Sequence, residues 1–264
     1  MKKLMCFAAV MLFLGACSLN SEEERSIKPE RFGWYGPTLY GNVKSVTVKS
    51  FALEEKFGKE SIGLMKGNVA VYSFDDSHGN CIEAGEYNSE GELQNKLIPV
   101  YDSNGKNIEA NFYDSDGSLT NKFTQVNDSD GKCIEMNIFN SDAELTDKYT
   151  RVYDSKGKYI ERNHYDSDGE LTSKYTFVYD SNGNCIEKNS YDSDGELTSK
   201  CTRFYDSNDN CIEENSYNSD GELTKKSTSI YDSNGNCIEE KYYTYKGPIS
   251  VPETVTKYEI EYYK

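Results

Sequence analysis

The sequence is poor in the residues that most enzymes use for acid–base and nucleophilic catalysis. Histidine occurs only twice, at His78 and His164, and neither lies in a recognisable triad. Carboxylates are abundant, but they recur at a fixed spacing, as solvated edges do. Because a catalytic site is expected to break such a pattern, we predict a protein that is not an enzyme and uses no cofactor.

Basic residues are also scarce, which argues against nucleic acid as a partner. The chain has 29 Lys and Arg against 45 Asp and Glu, a formal net charge of -16. Nucleic-acid binding depends on neutralising phosphates with Lys and Arg. We therefore expect no nucleic-acid partner and a solvated acidic surface.

Metal-ligand motifs are absent or incomplete. No Cys-x-x-Cys pair occurs, so a zinc site is disfavoured. The DSDG segments resemble part of a calcium loop, which needs an acid two residues earlier and a Glu six residues after the Gly. Around Asp166–Gly169 these positions hold His164 and Tyr175. We predict turns and no metal site; a cation shared between stacked turns is the alternative.

The longest apolar run is short and lies at the N-terminus. Residues 1–16 combine Lys2 and Lys3 with an apolar stretch too short for a comfortable membrane span, as in a signal peptide. The ending Leu-Gly-Ala-Cys resembles a bacterial lipobox, which implies that Cys17 is acylated and anchors the chain in a membrane. An ordinary secretory signal with a chance Cys is the alternative.

Residues 17–35 read as a polar tether. Ser21–Glu24, a Ser followed by three Glu, resembles the signal that exports lipoproteins to the outer face of certain Gram-negative bacteria. This resemblance implies a lipid-anchored, surface-exposed protein of the bacterial outer membrane, whereas a plain flexible tether is the alternative. Trp34, the only Trp, is interpreted either as part of a cap or as a platform for a sugar.

An internal repeat covers residues 75–243. It recurs every 26 residues, in half-units of 12 and 14 that each open with an aromatic residue, Asp or Asn, and Ser. Each DSNG or DSDG segment predicts a tight hairpin with Gly in the left-handed conformation. The pairing places Tyr179 opposite Cys185, Val178 opposite Ile186, and Tyr165 opposite Leu171. Ala143 and Asp209 replace this Gly, and the Ala143 turn is expected to be the more strained or altered.

Thirteen such turns between Asp75 and Tyr231, with a degenerate fourteenth at 243–247, predict an all-β fold, a long antiparallel β-hairpin meander. Sheet twist should make it coil, curl or partly close, and the pattern does not decide between these. We expect Tyr, Leu and Cys on one face, and Thr, Lys and the Val–Ile pairs on the other. Five repeat cysteines lie two strands apart, too far for disulfides, and Cys201 does not fall opposite Cys211.

The regions on either side of the repeat are expected to cap it. In 36–74, strands are predicted near Val43–Phe51 and Val69–Phe74, with a loop over 54–66. In 244–264, two Pro precede a strand over Thr254–Tyr263, which we expect to be the closing edge strand. Its Lys257, Glu259 and Glu261 should discourage pairing with another chain.

The recurring YDSNG, YDSDG and YDSKG segments resemble the YD repeats of the RHS family over roughly residues 75–247. The resemblance implies a hairpin array with a binding or encapsulating role. This chain departs from the large RHS proteins because it is too short for their closed shell and has no recognisable toxin domain or self-cleavage segment. MORN-variant repeats rank second, because they are usually shorter and richer in Gly.

Two functions remain open. In the first, the protein is a non-enzymatic lipoprotein whose aromatic rows bind a glycan or protein ligand at the cell surface, since Tyr has a flat apolar ring and a polar tip. The candidate ligand-binding residues are Tyr153, Tyr165, Tyr179, Tyr191, Tyr205, Tyr217, Tyr231 and Trp34. In the second, the same Tyr rows hold the strands together, and the protein is a structural spacer or periplasmic envelope component without a soluble ligand.

Overall fold

The computed structural model describes residues 39–103 and 105–264, and its regular structure there consists of β-strands. The predicted signal peptide, Cys17, the tether and Trp34 lie outside the described residues. No helix among the described residues is long and apolar enough to cross a membrane.

Sixteen strands follow one another in the described part of the chain. They are β1 Val43–Lys56, β2 Lys59–Phe74, β3 Cys81–Tyr87, β4 Leu93–Tyr101, β5 Asn107–Asp114, β6 Leu119–Asn127, β7 Cys133–Asn140, β8 Leu145–Tyr153, β9 Tyr159–Asp166, β10 Leu171–Tyr179, β11 Cys185–Asp192, β12 Leu197–Tyr205, β13 Cys211–Asn218, β14 Leu223–Tyr231, β15 Cys237–Lys246 and β16 Ile249–Tyr262.

The strands form one antiparallel meander that closes into a barrel. Each strand pairs with its neighbours in sequence, which confirms the predicted all-β meander. β16 pairs with both β15 and β1 and so joins the two ends of the sheet. We expected a twisted or curled sheet, and the structure shows a fully closed one, in which none of the described strands has a free edge.

The prediction of an edge strand at the C-terminus is wrong. β16 has a partner strand on both sides. Its charged side chains therefore form ion pairs with the neighbouring strands and do not protect an exposed edge. Lys49 of β1 lies 2.8 Å from Glu259, and Lys257 lies 3.6 Å from Glu239 of β15. Pro252 is accommodated inside β16 where the register with β15 shifts, as Pro is at a bulge.

The predicted loop over 54–66 is also wrong, because β1 and β2 continue through it. Phe57 and Gly58 both have positive φ, 56° and 74°, which is the geometry of a two-residue hairpin turn. The tip of this hairpin reaches β15, where Glu60 accepts hydrogen bonds from Lys241 at 2.6 Å and Tyr243 at 2.8 Å.

The repeat turns have the predicted form. In a representative turn, the Gly183 amide donates to the Asp180 carbonyl at 3.2 Å, and φ of Gly183 is 94°. The same bond, between residues three apart, occurs in twelve turns from Asn88 to Gly235, and in the first turn the Gly79 amide donates to the Asp75 carbonyl four residues earlier. Ala143 and Asp209 adopt φ of 61° in their turns, so both keep the left-handed conformation. The Ala143 turn is therefore strained but not rearranged.

A β-bulge beside each repeat turn explains why the predicted faces are wrong. Tyr179 pairs with Cys185 and Leu171 with Tyr165, as predicted, but Val178 pairs with Glu187 instead of Ile186. The skipped residue shifts the alternation by one. Aromatic residues that open successive half-units consequently point to opposite faces, and Leu shares its face with Lys and Thr.

The barrel interior, called the lumen below, is lined by the best-buried side chains. One cluster on β4–β7 consists of Leu97, Ala110, Phe112, Phe123, Met136 and Ile138. A second cluster joins the stretch before β1 to β1, β2 and β3, and consists of Leu39, Val43, Val46, Phe74 and Cys81. The six described cysteines are free thiols, and Cys201 pairs in register with Lys188 and Ser216.

Candidate binding wall inside the barrel

The outward-facing positions are almost the same in every repeat. Lys occupies one outer position six times, at 96, 122, 148, 174, 200 and 226. Glu occupies the adjoining outer position at 83, 109, 135, 161, 187, 213 and 239. In a representative pair, Lys200 lies 2.5 Å from Glu187, which also accepts a hydrogen bond from Asn189 at 2.8 Å. The outer face is thus a regular charged network that braces neighbouring strands.

The inward-facing positions change from repeat to repeat. One inner position reads Ala84, Ala110, Met136, Arg162, Lys188, Glu214 and Glu240 around the barrel. Another reads Glu86, Phe112, Ile138, His164, Ser190, Ser216 and Tyr242. The inner wall is apolar on β5–β7 and becomes charged and polar from β8 onward. Most inner side chains of β8–β14 are only half-buried, so the lumen reaches them.

A cluster of two cations and two aromatic rings lies on this charged part of the wall. The cation–aromatic cluster, as we call it, consists of Tyr149 on β8, Arg162 on β9, Tyr175 on β10 and Lys188 on β11. The Arg162 guanidinium carbon lies 4.4 Å from the centre of the Tyr175 ring and 5.4 Å from that of Tyr149. Lys188 Nζ lies 4.9 Å from the Tyr175 ring. One ring therefore contacts both cations.

Neither cation has a carboxylate partner in the described part of the chain. Arg162 is only 6% exposed, and its Nε is buried without a hydrogen-bond partner. No ion pair of Arg162 or Lys188 occurs among the described residues, although most Lys of the outer face have one. Burial, followed by the charge of Arg162, holds the pKa of Lys188 below its ordinary value. The cluster is therefore a concentration of positive charge in a net acidic protein.

The polar groups beside the cluster are paired with one another. His164 Nε2 lies 2.7 Å from Asp147, and its ring stacks on Tyr149 with centroids 4.4 Å apart. Arg203 Nε donates to Glu214 at 2.7 Å, and both side chains are largely buried. Burial and the nearby Asp147 charge raise the pKa of Tyr149 to about 12, so this ring is neutral at physiological pH.

The predicted Tyr residues do not form one site. Four of them, Tyr153, Tyr179, Tyr205 and Tyr231, point inward, and their hydroxyls donate to backbone carbonyls of the preceding strand. For Tyr205 this bond to the Cys185 carbonyl measures 2.8 Å. These four rings tie neighbouring strands together near one rim, and a ligand-binding role for them stays a prediction.

The other three Tyr residues lie on the outer face. Tyr165, Tyr191 and Tyr217 pair in register with Leu171, Leu197 and Leu223. Their rings are half-buried, and Lys174 lies over the Tyr191 ring at 5.8 Å. Cys17 and Trp34 lie outside the described residues, so their predicted roles in lipidation and sugar binding stay predictions.

Arg162 and Lys188 were not predicted as site residues from the sequence, although the repeat pattern is interrupted at their positions. Both occupy a repeat position that is apolar in β5 and β7 and acidic in β13 and β15, so they interrupt the pattern. That interruption could be recognised only after the bulges had shown which positions face inward. Among the described residues, no group of three or more His, Cys, Asp or Glu could hold a metal ion.

Comparisons with known proteins show a likeness of fold. No family model and no curated protein matches the chain. A porin-like protein from Bacteroides uniformis has a similar structure, with a TM-score of 0.56 and 13% identity over 83% of this chain and 96% of that chain. A porin-like protein from Bacteroides vulgatus gives a TM-score of 0.37 and 12% identity, over 84% and 98% of the two chains. At 13% identity, the likeness to the Bacteroides uniformis protein shows the fold alone.

Proposed function

We propose that this chain is a non-enzymatic, lipid-anchored protein of the bacterial cell envelope whose barrel binds a glycan, or an extended segment of a protein, on its inner wall. One observation carries the proposal: Lys and Glu recur at the outer mid-strand positions of nearly every repeat, whereas the inner mid-strand positions change from Ala and Met through Arg and Lys to Glu around the barrel. The structural requirements of a regular barrel are the same in each repeat and favour identical residues. A binding surface has to present different groups at different points.

The location of the barrel follows from its outer face. A barrel embedded in a membrane presents an apolar band about 25 Å tall to lipid, and Lys at the bilayer midplane costs about 2–4 kcal/mol. Here Lys–Glu pairs such as Lys148–Glu135, at 2.8 Å, occur in the middle of the outer face. The barrel therefore lies in water beside the membrane, and acylated Cys17 supplies the attachment. Acidic residues after Cys17 support export to the cell surface, and the resemblance to YD repeats supports a binding or encapsulating role.

A structural spacer is the second candidate. The inward hydroxyls of Tyr153, Tyr179, Tyr205 and Tyr231 favour it, because all four are engaged with backbone carbonyls. Such rings hold strands together without a ligand. The spacer hypothesis does not explain why charged residues replace apolar ones on the inner wall.

Blocking the lumen tests the proposal. The full chain, purified in detergent, is titrated calorimetrically with neutral and acidic saccharides and with peptides from envelope proteins. Ser190→Trp and Ser216→Trp place large rings on the inner wall at half-buried positions. Val152→Trp and Val178→Trp are matched controls on the outer face, where the native residues are 42% and 45% exposed.

We expect at least one ligand whose affinity falls tenfold or more in the inner variants and is unchanged in the outer variants. Equal binding by all four variants would place the site outside the lumen. A complete lack of binding, with folding intact by circular dichroism, would leave the structural spacer as the better hypothesis.

A further inference from the structure

We propose that the cation–aromatic cluster, Tyr149, Arg162, Tyr175 and Lys188, binds an oxyanion, the carboxylate or phosphate group of the ligand. This inference rests on the proposed luminal function and names the chemical class of its ligand.

The guanidinium of Arg162 lies over two aromatic rings. Its central carbon is 4.4 Å from the centre of the Tyr175 ring and 5.4 Å from that of Tyr149. The five N–H donors of a guanidinium match the paired oxygens of a carboxylate or phosphate. In the described chain these donors make no hydrogen bond, and Nε is buried. The described protein therefore provides no acceptor for this group.

Lys188 supplies a second positive charge beside the first. Its ammonium and the Arg162 guanidinium both contact the Tyr175 ring, from neighbouring positions on β11 and β9. Two like charges in a partly buried place repel each other, and an anion between them removes that repulsion. Both groups therefore lie beside the same ring, and the proposed oxyanion accepts from both.

Two carboxylates of the inner wall nearby have other partners. Asp147 lies 2.7 Å from His164, and Glu214 lies 2.7 Å from Arg203. The outer Lys174 offers a contrast, because it lies 5.8 Å over the Tyr191 ring and also has a carboxylate partner, Glu161, at 3.4 Å. On the outer face, a Lys that contacts a Tyr ring also has a carboxylate partner. On the inner face, Lys188 contacts a Tyr ring and has no carboxylate partner among the described residues.

Calorimetric titration of the full chain in detergent tests the site. The probes are sodium phosphate, glucuronate and glucose, which separate a bare phosphate, a carboxylate on a sugar and a neutral sugar. The variants are Arg162→Met and Lys188→Met, which keep the apolar stem and remove the charge. Arg162→Lys keeps the charge without the planar donors, and Lys174→Met is the matched outer control. Circular dichroism and thermal unfolding show that each variant folds.

We expect phosphate, glucuronate or both to bind, with at least tenfold lower affinity in Arg162→Met and Lys188→Met and no change in Lys174→Met. Arg162→Lys should retain part of the affinity, and binding should weaken as salt is added. Because an anion stabilises the charged ammonium, it should also raise the pKa of Lys188, measured by NMR of the labelled side chain. Phosphate binding alone indicates a phosphoester ligand, and glucuronate binding alone indicates an acidic sugar.

Unchanged anion affinity in both inner variants would overturn the site. Binding of glucose alone, abolished by Ser190→Trp, would overturn the oxyanion while leaving the luminal function standing. If no probe and no member of the wider ligand panel binds, both proposals fail together.

Discussion

At the scale of single residues, two substitutions in the repeat turns show how context changes the cost of a strained backbone. Ala143 and Asp209 both stand where other turns have Gly, and both have φ of 61°. Asp209 gains a compensating contact, since its carboxylate accepts a hydrogen bond from Asn184 of the neighbouring turn at 2.7 Å. No side-chain hydrogen bond is available to the methyl group of Ala143.

Ala143→Gly should therefore stabilise the barrel by up to about 1 kcal/mol, because Gly adopts positive φ without the steric cost of a Cβ. Asp209→Gly should be neutral or destabilising, because relief of strain is offset by loss of the Asn184 contact. The free energy of unfolding from urea titration of both variants is the measurement. A larger stabilisation from Asp209→Gly than from Ala143→Gly would contradict this account.

The hydroxyl groups of the inner Tyr residues are predicted to contribute more to the stability of the barrel than those of the outer Tyr residues. Tyr205→Phe removes the bond to the Cys185 carbonyl, 2.8 Å long, and should cost about 0.5–1.5 kcal/mol of stability. Tyr217→Phe is the matched outer substitution and should change stability by less than about 0.5 kcal/mol. Thermal unfolding of the two variants tests the difference, and equal effects would count against a bracing role for the inner hydroxyls.

At the scale of elements, β16 is the strand on which closure depends. It is the longest-range connection in the chain, since it pairs with β1 as well as with β15. Val255 lies in the middle of this double pairing, opposite Phe51 on one side and Lys241 on the other, and is fully buried. Val251, on the same strand, is 37% exposed.

Val255→Asp should prevent closure or destabilise the barrel by several kcal/mol, because it places a carboxylate in a fully buried position where Lys241, the cation opposite, is already paired with Glu60. Val251→Asp, a matched substitution in the same strand, should be tolerated. Limited proteolysis and size-exclusion chromatography distinguish a closed barrel from an open, aggregating sheet. Normal closure with Asp at position 255 would show that this pairing is not essential.

At the scale of the whole molecule, the outer Lys–Glu network links stability to pH. Hydrogen bonds from Lys148, Lys200 and Lys226 hold the pKa values of Glu135, Glu187 and Glu213 below the ordinary value of 4.5. A carboxyl whose pKa is lower in the folded state stabilises that state at pH values above its unfolded pKa. This contribution is lost as the pH falls through the folded pKa.

We therefore expect the unfolding temperature of the barrel to stay nearly constant between pH 7 and about pH 5 and to fall below about pH 4.5. The triple variant Glu135→Gln, Glu187→Gln, Glu213→Gln should be less stable at pH 7 and show a shallower decline in acid. Differential scanning calorimetry across this range is the measurement. Identical pH profiles of the variant and the wild type would exclude the outer network as the cause.

Attachment of the whole molecule to the envelope is predicted to depend on Cys17. Cys17→Ser should abolish labelling by radioactive palmitate and move the protein from the membrane fraction to the soluble fraction. Replacing Glu22, Glu23 and Glu24 with Ala should keep the label but protect the barrel from protease added to intact cells. A periplasmic marker that survives the protease is the control. Protease resistance of the wild type would favour a periplasmic location.

The local features of this protein could be predicted from its sequence because each depends on a few neighbouring residues. The turns, the Tyr179–Cys185 and Leu171–Tyr165 pairs and the antiparallel meander follow from Asp, Ser and Gly at fixed positions. The faces could not be predicted, because one bulge beside each repeat turn reverses the alternation downstream. For the same reason Arg162 and Lys188 could not be recognised as neighbours on one inner wall.

The sequence by itself determined that the chain is a repeating antiparallel sheet with few groups suited to catalysis. Only the tertiary structure decided that the sheet closes, that the repetitive face is outside and that Arg162 and Lys188 lie together inside, with no carboxylate partner among the described residues. Turn formation is local, so it is specified by four or five residues. Closure joins β1 to β16 across the whole chain, and it depends on the summed twist and register of sixteen strands.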